Sequence, residues 1–284
     1  MLAVIKNGML ALAAATILAS CQVDSAEIAD DSSVTRNPFT DMRWGNGYWI
    51  VAENSVPGAY AVVPDPETGT GVVQRFTLRE GDCGTGRYSD DCRYNSGRYE
   101  FMEDIWDHPS YGPQSQPRES WYSWEVRLDE GTLYGRDQPI GPLILGQFKQ
   151  GTTNCPLIIL KHQSGFNDSN LQVMLSYDTG RDPPNDCKTT ANRVVGSVTD
   201  LIGRWARVEM FIRWSSGDDG RVDVYFDGTQ RMSYTGPTCI GDCTNIYRKY
   251  GIYFANQRGG TPLTEINAYY RNLGRASMRE GLPR

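Results

Sequence analysis

The sequence predicts an all-β fold, a jelly-roll sandwich of two antiparallel sheets with one concave face open to a ligand. Three observations predict it. Short segments with apolar and polar residues in alternation recur along the chain, separated by Gly, Pro, Asn and Asp. Beyond the N-terminal stretch no window carries the pattern of a long amphipathic helix. No internal repeat is present, which argues against a propeller or a solenoid.

The first 20 residues pair Lys6 with an apolar run over 9–18 that is too short to span a bilayer, the pattern of a signal peptide. Leu18-Ala19-Ser20-Cys21 resembles the bacterial lipobox, in which cleavage before the cysteine leaves a lipid-modified N-terminus. An ordinary secretory signal is the alternative. Gln22 favours the outer membrane by the same resemblance, so the expected location is the cell envelope, with membrane contact through the lipid alone. Residues 21–38 are polar and aperiodic, a flexible tether. Residues 39–284 show no break in composition and are expected to form one monomeric domain.

Within that domain, residues 206, 208, 210, 212 and 214 are apolar while Arg207, Glu209 and Arg213 take the other face, a long half-buried strand. Val222, Val224 and Phe226 repeat the pattern, and Asp227-Gly228 closes a hairpin. Further strands are expected at 48–52, 72–78, 97–103, 120–128, 143–149, 157–162, 171–177, 250–256 and 266–273.

The chain holds seven cysteines and two histidines, and its formal charge is −6. Removal of residues 1–20 takes away Lys6 and no acid, leaving −7, so nothing in the overall charge favours nucleic acid. A zinc site built on several histidines is nearly excluded with only His108 and His162. If Cys21 carries lipid, six thiols remain for an oxidising compartment. They allow fifteen pairings, of which the near-neighbour set is expected: Cys83 with Cys92, Cys155 with Cys187, and Cys239 with Cys243. Metal binding by Cys239 and Cys243 is the weaker reading, because no second cysteine pair lies nearby. The loop over 215–220 lacks the spaced ligands of a calcium site and reads as a hairpin turn. No cofactor is required, and no motif supports a structural calcium.

Four stretches place polar groups in strand-like settings: Arg98-Tyr99-Glu100, Trp121-Tyr122-Ser123-Trp124, Gln147-Phe148-Lys149, and Tyr247 to Tyr253 in YRKYGIYF. Alternation puts Gln147 with Lys149, Arg98 with Glu100, and Lys249 with Gly251 and Tyr253 on common faces. Gly251 leaves open space between the lysine and the tyrosine. If these strands share one concave sheet, they form a floor of Arg, Gln, Lys and Tyr beside a Glu. Cations and amides suit the carboxylates of an anionic sugar polymer, and aromatic faces suit its rings. Trp121 and Trp124 are expected to divide, one in the core and one in or beside the cleft. Arg98 with Glu100 could also be a solvated strand pair.

In these motifs the chain resembles the jelly-roll polysaccharide lyases, a concanavalin-like group that includes heparin lyase I-like, glucuronan lyase-like and alginate lyase-like enzymes. Arg98-Tyr99-Glu100 is similar to an Arg-x-Glu strand, Gln147-Phe148-Lys149 to a Gln-x-His strand, and Tyr247-x-Lys249-x-Gly251-Ile252-Tyr253 to a Tyr-x-Lys-x-Gly-x-Tyr strand. Residues 205–228 and Tyr269 to Leu273 keep the order of the heparin lyase-like branch. The departure is Lys149, where histidine is more usual.

The resemblance implies β-elimination in a uronate-containing polysaccharide. Arg98, Gln147 and Lys149 or Lys249 would neutralise the carboxylate as enolate-like charge develops. Tyr253 takes the position of the family's tyrosine, as acid and also as base if Lys249 or Arg98 lowers its pKa. His162, or less plausibly His108, is the other candidate base, and a strand-end residue without a catalytic part is the plain alternative for His162. Glu100, Tyr247, Trp121 and Trp124 would contact substrate. A hydrolase needs two carboxylates across the scissile bond, and the cluster Glu100 to Asp104 has the wrong alternation for it. A non-catalytic carbohydrate-binding surface lipoprotein is the rival from another class, though it would not need Lys249 and Tyr253 together.

Overall fold

In the computed structural model the described residues are 42–44, 47–51, 58–79, 81–84, 91–103, 118–129, 142–151, 155–162, 170–178, 187–254 and 265–284. The expected signal peptide, Cys21, the tether and His108 lie outside them. The described chain is built from strands β1 Met42–Trp44, β2 Gly47–Val51, β3 Tyr60–Pro64, β4 Val72–Arg79, β5 Gly97–Glu103, β6 Glu119–Leu128, β7 Leu143–Gln150, β8 Ile158–His162, β9 Asn170–Asp178, β10 Cys187–Ser197, β11 Ala206–Arg213, β12 Arg221–Phe226, β13 Thr229–Thr235, β14 Ile246–Phe254 and β15 Glu265–Ala276.

They form two antiparallel sheets, as the alternation predicts. One has the order β1-β2-β5-β14-β7-β8-β9-β10, the other β13-β12-β11-β6-β15-β4-β3. Consecutive strands are often not neighbours. β5, β14 and β7 lie side by side although β14 follows β7 by about a hundred residues, and this crossover topology gathers the motifs noted above. The strands expected along the chain are present, with β14 beginning four residues earlier than the expected 250.

The core lies between the sheets. From the seven-stranded sheet come Tyr122, Trp124, Val126 and Leu128 of β6 and Ala206, Val208, Met210 and Ile212 of β11. Facing them are Phe148 of β7 and Ile246, Tyr250, Ile252 and Phe254 of β14. Tyr122 meets Phe148 edge-on with ring centroids 4.8 Å apart, and each such buried ring contributes about 1.5–3 kcal/mol through burial. Trp124 is therefore a core residue, 2% exposed. Trp121 points the other way, onto the outer face of the seven-stranded sheet, with Phe211 and Tyr225 at 5.4 and 5.6 Å. The expected division of the two tryptophans holds for the core member only, because β6 belongs to the sheet that does not carry the other motifs.

The core also holds charge. The backbone N–H of Arg248 donates to Glu103 Oε2 at 3.0 Å, and its guanidinium donates to Ser123 O and Gly274 O at 3.2 and 3.1 Å, tying the two sheets together. The three expected disulfides form, with Cα separations of 4.9, 5.5 and 5.3 Å for Cys83–Cys92, Cys155–Cys187 and Cys239–Cys243.

Candidate active site

Three neighbouring strands of the eight-stranded sheet supply the site on the face away from the core. Their core side is fixed by Tyr99 and Phe101 on β5, Tyr250, Ile252 and Phe254 on β14, and Phe148 on β7. Alternation then turns Arg98 and Glu100, Tyr247, Lys249, Gly251 and Tyr253, and Gln147 and Lys149 outward together. Register brings them side by side: Tyr253 opposite Arg98, Gly251 opposite Glu100, Lys249 opposite Gln147, and Tyr247 opposite Lys149.

A bulge sets the geometry. Between Tyr250 and Tyr253 the pairing of β14 with β7 shifts, which bends the strand and re-aims its side chains. The Tyr270 hydroxyl, reaching across the core from β15, lies 2.8 Å from both Leu145 O and Gly251 O and shares its proton between them. Gly251 has φ +128°, and a Cβ there would stand 2.3 Å from Tyr99 O and 2.9 Å from Glu100 Cα. The glycine is needed for backbone conformation and close approach to β5, beyond the open space that the sequence suggests. Gly251→Ala is expected to lower the midpoint of thermal unfolding by several degrees and to remove activity, since strain of about 1–3 kcal/mol adds to the clash. Unchanged melting and turnover would contradict this account of the bulge.

Glu100 is the hub of the floor. It is 1% exposed, accepts a hydrogen bond from Gln147 Nε2 at 2.5 Å, and lies 3.5 Å from Arg98 Nη1 and 3.6 Å from Lys249 Nζ. Its carboxylate thus holds the Gln147 amide, the Arg98 guanidinium and the Lys249 amine together on one face.

Arg98 is gripped from a second side. Its Nε and Nη2 donate to the Asp91 carboxylate at 2.6 and 2.8 Å in a fork, the planar match that lysine lacks. Asp91 is buried in a tight turn that accepts the backbone N–H groups of Tyr94 and Ser96. The Cys83–Cys92 disulfide ends beside it. Sequence reasoning missed Asp91; its position next to a disulfide cysteine and seven residues before Arg98 was the available signal. Burial works against the charge of Arg98, but Glu100 and Asp91 outweigh it and raise the pKa.

The Arg98 guanidinium carbon stands 4.0 Å from the centroid of the Tyr253 ring, a cation–π contact. Arg98 pulls the Tyr253 pKa down as expected, yet burial outweighs it, helped by Asp91 and Glu100, and the phenol ends above its ordinary value. Tyr253 is thus protonated at neutral pH, which fits an acid and corrects the expectation of a lowered pKa. Tyr247 is pushed up to about 12 by burial and by Glu100. Burial lowers Lys249, against the support of Glu100. Lys149 is brought down to about 8 by burial and then by the charges of Lys249 and Arg98.

His162 does not join this group. It pairs in register with Leu143 and Leu171, both core residues, so its side chain lies on the opposite face of the sheet, at the far end of β8. The other expected acid cluster divides in the same way: Glu100 faces outward, whereas Glu103 turns in to Arg248. No hydrolase pair of carboxylates arises from them.

The sequence model of the family described as polysaccharide lyase matches residues 42–272. The chain belongs to this polysaccharide lyase family. Among solved structures, the lyase is similar to an endo-β-1,4-glucuronan lyase from the fungus Trichoderma reesei, at 16% identity and a TM-score of 0.55, over 79% of this chain and 89% of that one. It is also similar to an alginate lyase from Klebsiella pneumoniae, at 12% identity and a TM-score of 0.52, over 82% and 96% of the two chains. At such identities the likeness is one of fold. No functionally curated protein matches the sequence. The lyase domain carries its charged floor on β5, β14 and β7, within the matched span.

Proposed function

We propose that the lyase cleaves a uronic-acid-containing anionic polysaccharide by β-elimination, with Tyr253 as the acid that protonates the departing O4. The observation that carries this reading is the juxtaposition of Tyr253 with a floor where one buried carboxylate, Glu100, aligns Arg98, Gln147 and Lys249.

Removing the proton on C5 of a uronate spreads negative charge from C5 into the adjacent carboxylate. A group that stabilises the added charge lowers the barrier only if it is aimed there beforehand. Arg98 is so aimed, since Asp91 and Glu100 hold its guanidinium from two sides. Gln147 spends one amide N–H on Glu100 and keeps the other donor for the sugar carboxylate. Burial strengthens these interactions by lowering the local dielectric. Tyr253, protonated and beside Arg98, supplies the proton that O4 needs as the C4–O4 bond breaks.

Glucuronan and alginate, the substrates named for the two similar structures, head the list of candidate polymers. The test offers the purified enzyme glucuronan, alginate, heparin-like polymers and a neutral glucan. An ultraviolet absorbance from unsaturated uronate ends is expected with at least one uronate polymer and not with the glucan. Binding of those polymers with no absorbance rise would reject the reading in favour of a carbohydrate-binding protein.

A further inference from the structure

Elimination requires a base for the C5 proton, so the inference that follows rests on the reading of the reaction given above. The described ionisable side chains that β5, β14 and β7 turn outward with Tyr253 are Arg98, Glu100, Lys149, Tyr247 and Lys249, and β8 adds Lys161. Arg98 stays charged and offers no lone pair. Glu100 lies in the floor with Gln147, Arg98 and Lys249 around its oxygens. Lys249 is held in an ion pair with that same carboxylate. Tyr247 keeps its proton to about 12.

Lys149 differs from all of these. It extends the floor from β7, two residues beyond Gln147 and opposite Tyr247. It is partly open to solvent, and it takes no part in the ion pairs of the described residues. Among the described residues, Lys149 and Lys161 of β8 are the amines on this face not committed to Glu100 or Asp91, and of the two only Lys149 stands among the charges of Lys249, Arg98 and Glu100.

We infer that Lys149, in its neutral form, is the base that removes the C5 proton while Tyr253 protonates the leaving oxygen. The lone pair of Lys149 Nζ takes the proton, and the C5–H electron pair becomes the C4=C5 double bond. The C4–O4 bond breaks with its electrons on O4, which receives the Tyr253 Oη proton. The Lys149 ammonium then gives a proton to solvent and the Tyr253 phenolate takes one back, so the cycle closes without a co-reactant.

The surroundings make the neutral amine accessible. Burial and the nearby charges of Lys249 and Arg98 bring Lys149 to about 8, and only Glu100 opposes them. The other titratable groups turned toward this face are Tyr247 and Tyr253 on β14, both protonated at neutral pH, and Lys161 on β8. Asp91 lies behind Arg98 and is bound to it. At pH 7 about a tenth of the molecules would carry the neutral amine, and most would above pH 9. Because the base acts deprotonated, kcat/KM should climb as pH rises through about 8 and decline only where Tyr253 loses its proton.

The test compares Lys149→Arg, Lys149→Met and Lys149→His on the uronate polymer that the wild type degrades, with folding checked by circular dichroism. Lys149→Arg keeps the charge and loses the base, so kcat should fall by about 10²–10⁴-fold with polymer binding retained, and Lys149→Met should fall as far. Lys149→His should retain turnover while its acid limb moves down by roughly one to two pH units, toward the ordinary range of imidazole. Near wild-type kcat/KM for Lys149→Arg, or an unmoved acid limb for Lys149→His, would overturn the assignment. Should Lys149→Arg not fold, the Lys149→His profile decides. A wild type that makes no unsaturated product from any uronate polymer would overturn the reaction itself; an active wild type with an active Lys149→Arg would overturn the base alone.

Discussion

Tyr253→Phe is expected to reduce kcat by about 10²–10⁴-fold with polymer binding changed by no more than a few-fold. The substitution removes the hydroxyl and keeps the ring. The Arg98 guanidinium, 4.0 Å from that ring, retains an aromatic face to pack on, so the cation stays aimed and the carboxylate of the polymer still finds it. The loss therefore falls on the proton delivered to O4. Burial keeps the Tyr253 proton in place at neutral pH in spite of the pull of Arg98, and phenylalanine has none to give. Steady-state turnover combined with a binding isotherm for the same polymer separates the two effects. A near-normal rate would remove Tyr253 from the mechanism.

Arg98→Ala is expected to cost both activity and stability. Loss of one preorganised charge at a developing anion lowers kcat by about 10²–10³-fold. The deletion also leaves Asp91, 3% exposed, without its forked partner, and stranding one member of a buried pair costs about 3–5 kcal/mol. Two further variants divide the effects. Arg98→Ala combined with Asp91→Asn should recover much of the melting temperature and none of the rate, because it removes the stranded charge without restoring the cation. Arg98→Lys should keep the charge but not the fork, and recover only part of either. Full activity in Arg98→Lys would mean that the forked grip on Asp91 does not matter.

The fold was legible in the sequence where strands are half or fully buried, because alternation there records two chemically different environments. β11 and β12 are the clearest cases, with the core face apolar at every second position. The strands that escaped notice, β1, β3, β10 and β13, are the four edges of the two sheets. An edge strand has one neighbour and much solvent, so its sequence is free to be polar. In β10 only Ala191 and Val195 are buried, and Cys187-Lys188-Thr189-Thr190 gives no period to read.

The site followed the same logic. Spacing by two residues put Arg98 with Glu100 and Gln147 with Lys149, and spacing by four put Lys249 with Tyr253, on common faces, and the topology of β5, β14 and β7 made those faces one. Spacing could not say which partner a charged group would choose. Arg98 takes Asp91 from a disulfide-linked turn as well as Glu100 beside it on the strand. Nor could spacing assign Trp121 to a sheet, because a surface tryptophan on either sheet has the same local pattern. His162 was a candidate base at the end of an apolar strand, yet its alternation with Ile159 and Lys161 sends it to the core side.

The central claim is that the chain breaks its polymer by elimination, and the most direct measurement is the mass of the products formed in water labelled with heavy oxygen. The uronate polymer that gives an ultraviolet signal is digested in that water, and the new ends are examined by mass spectrometry. Elimination predicts non-reducing ends that lack the elements of water, carry a C4=C5 double bond and contain no oxygen from the solvent. Saturated ends, with solvent oxygen incorporated at the cleaved bond, would contradict the account.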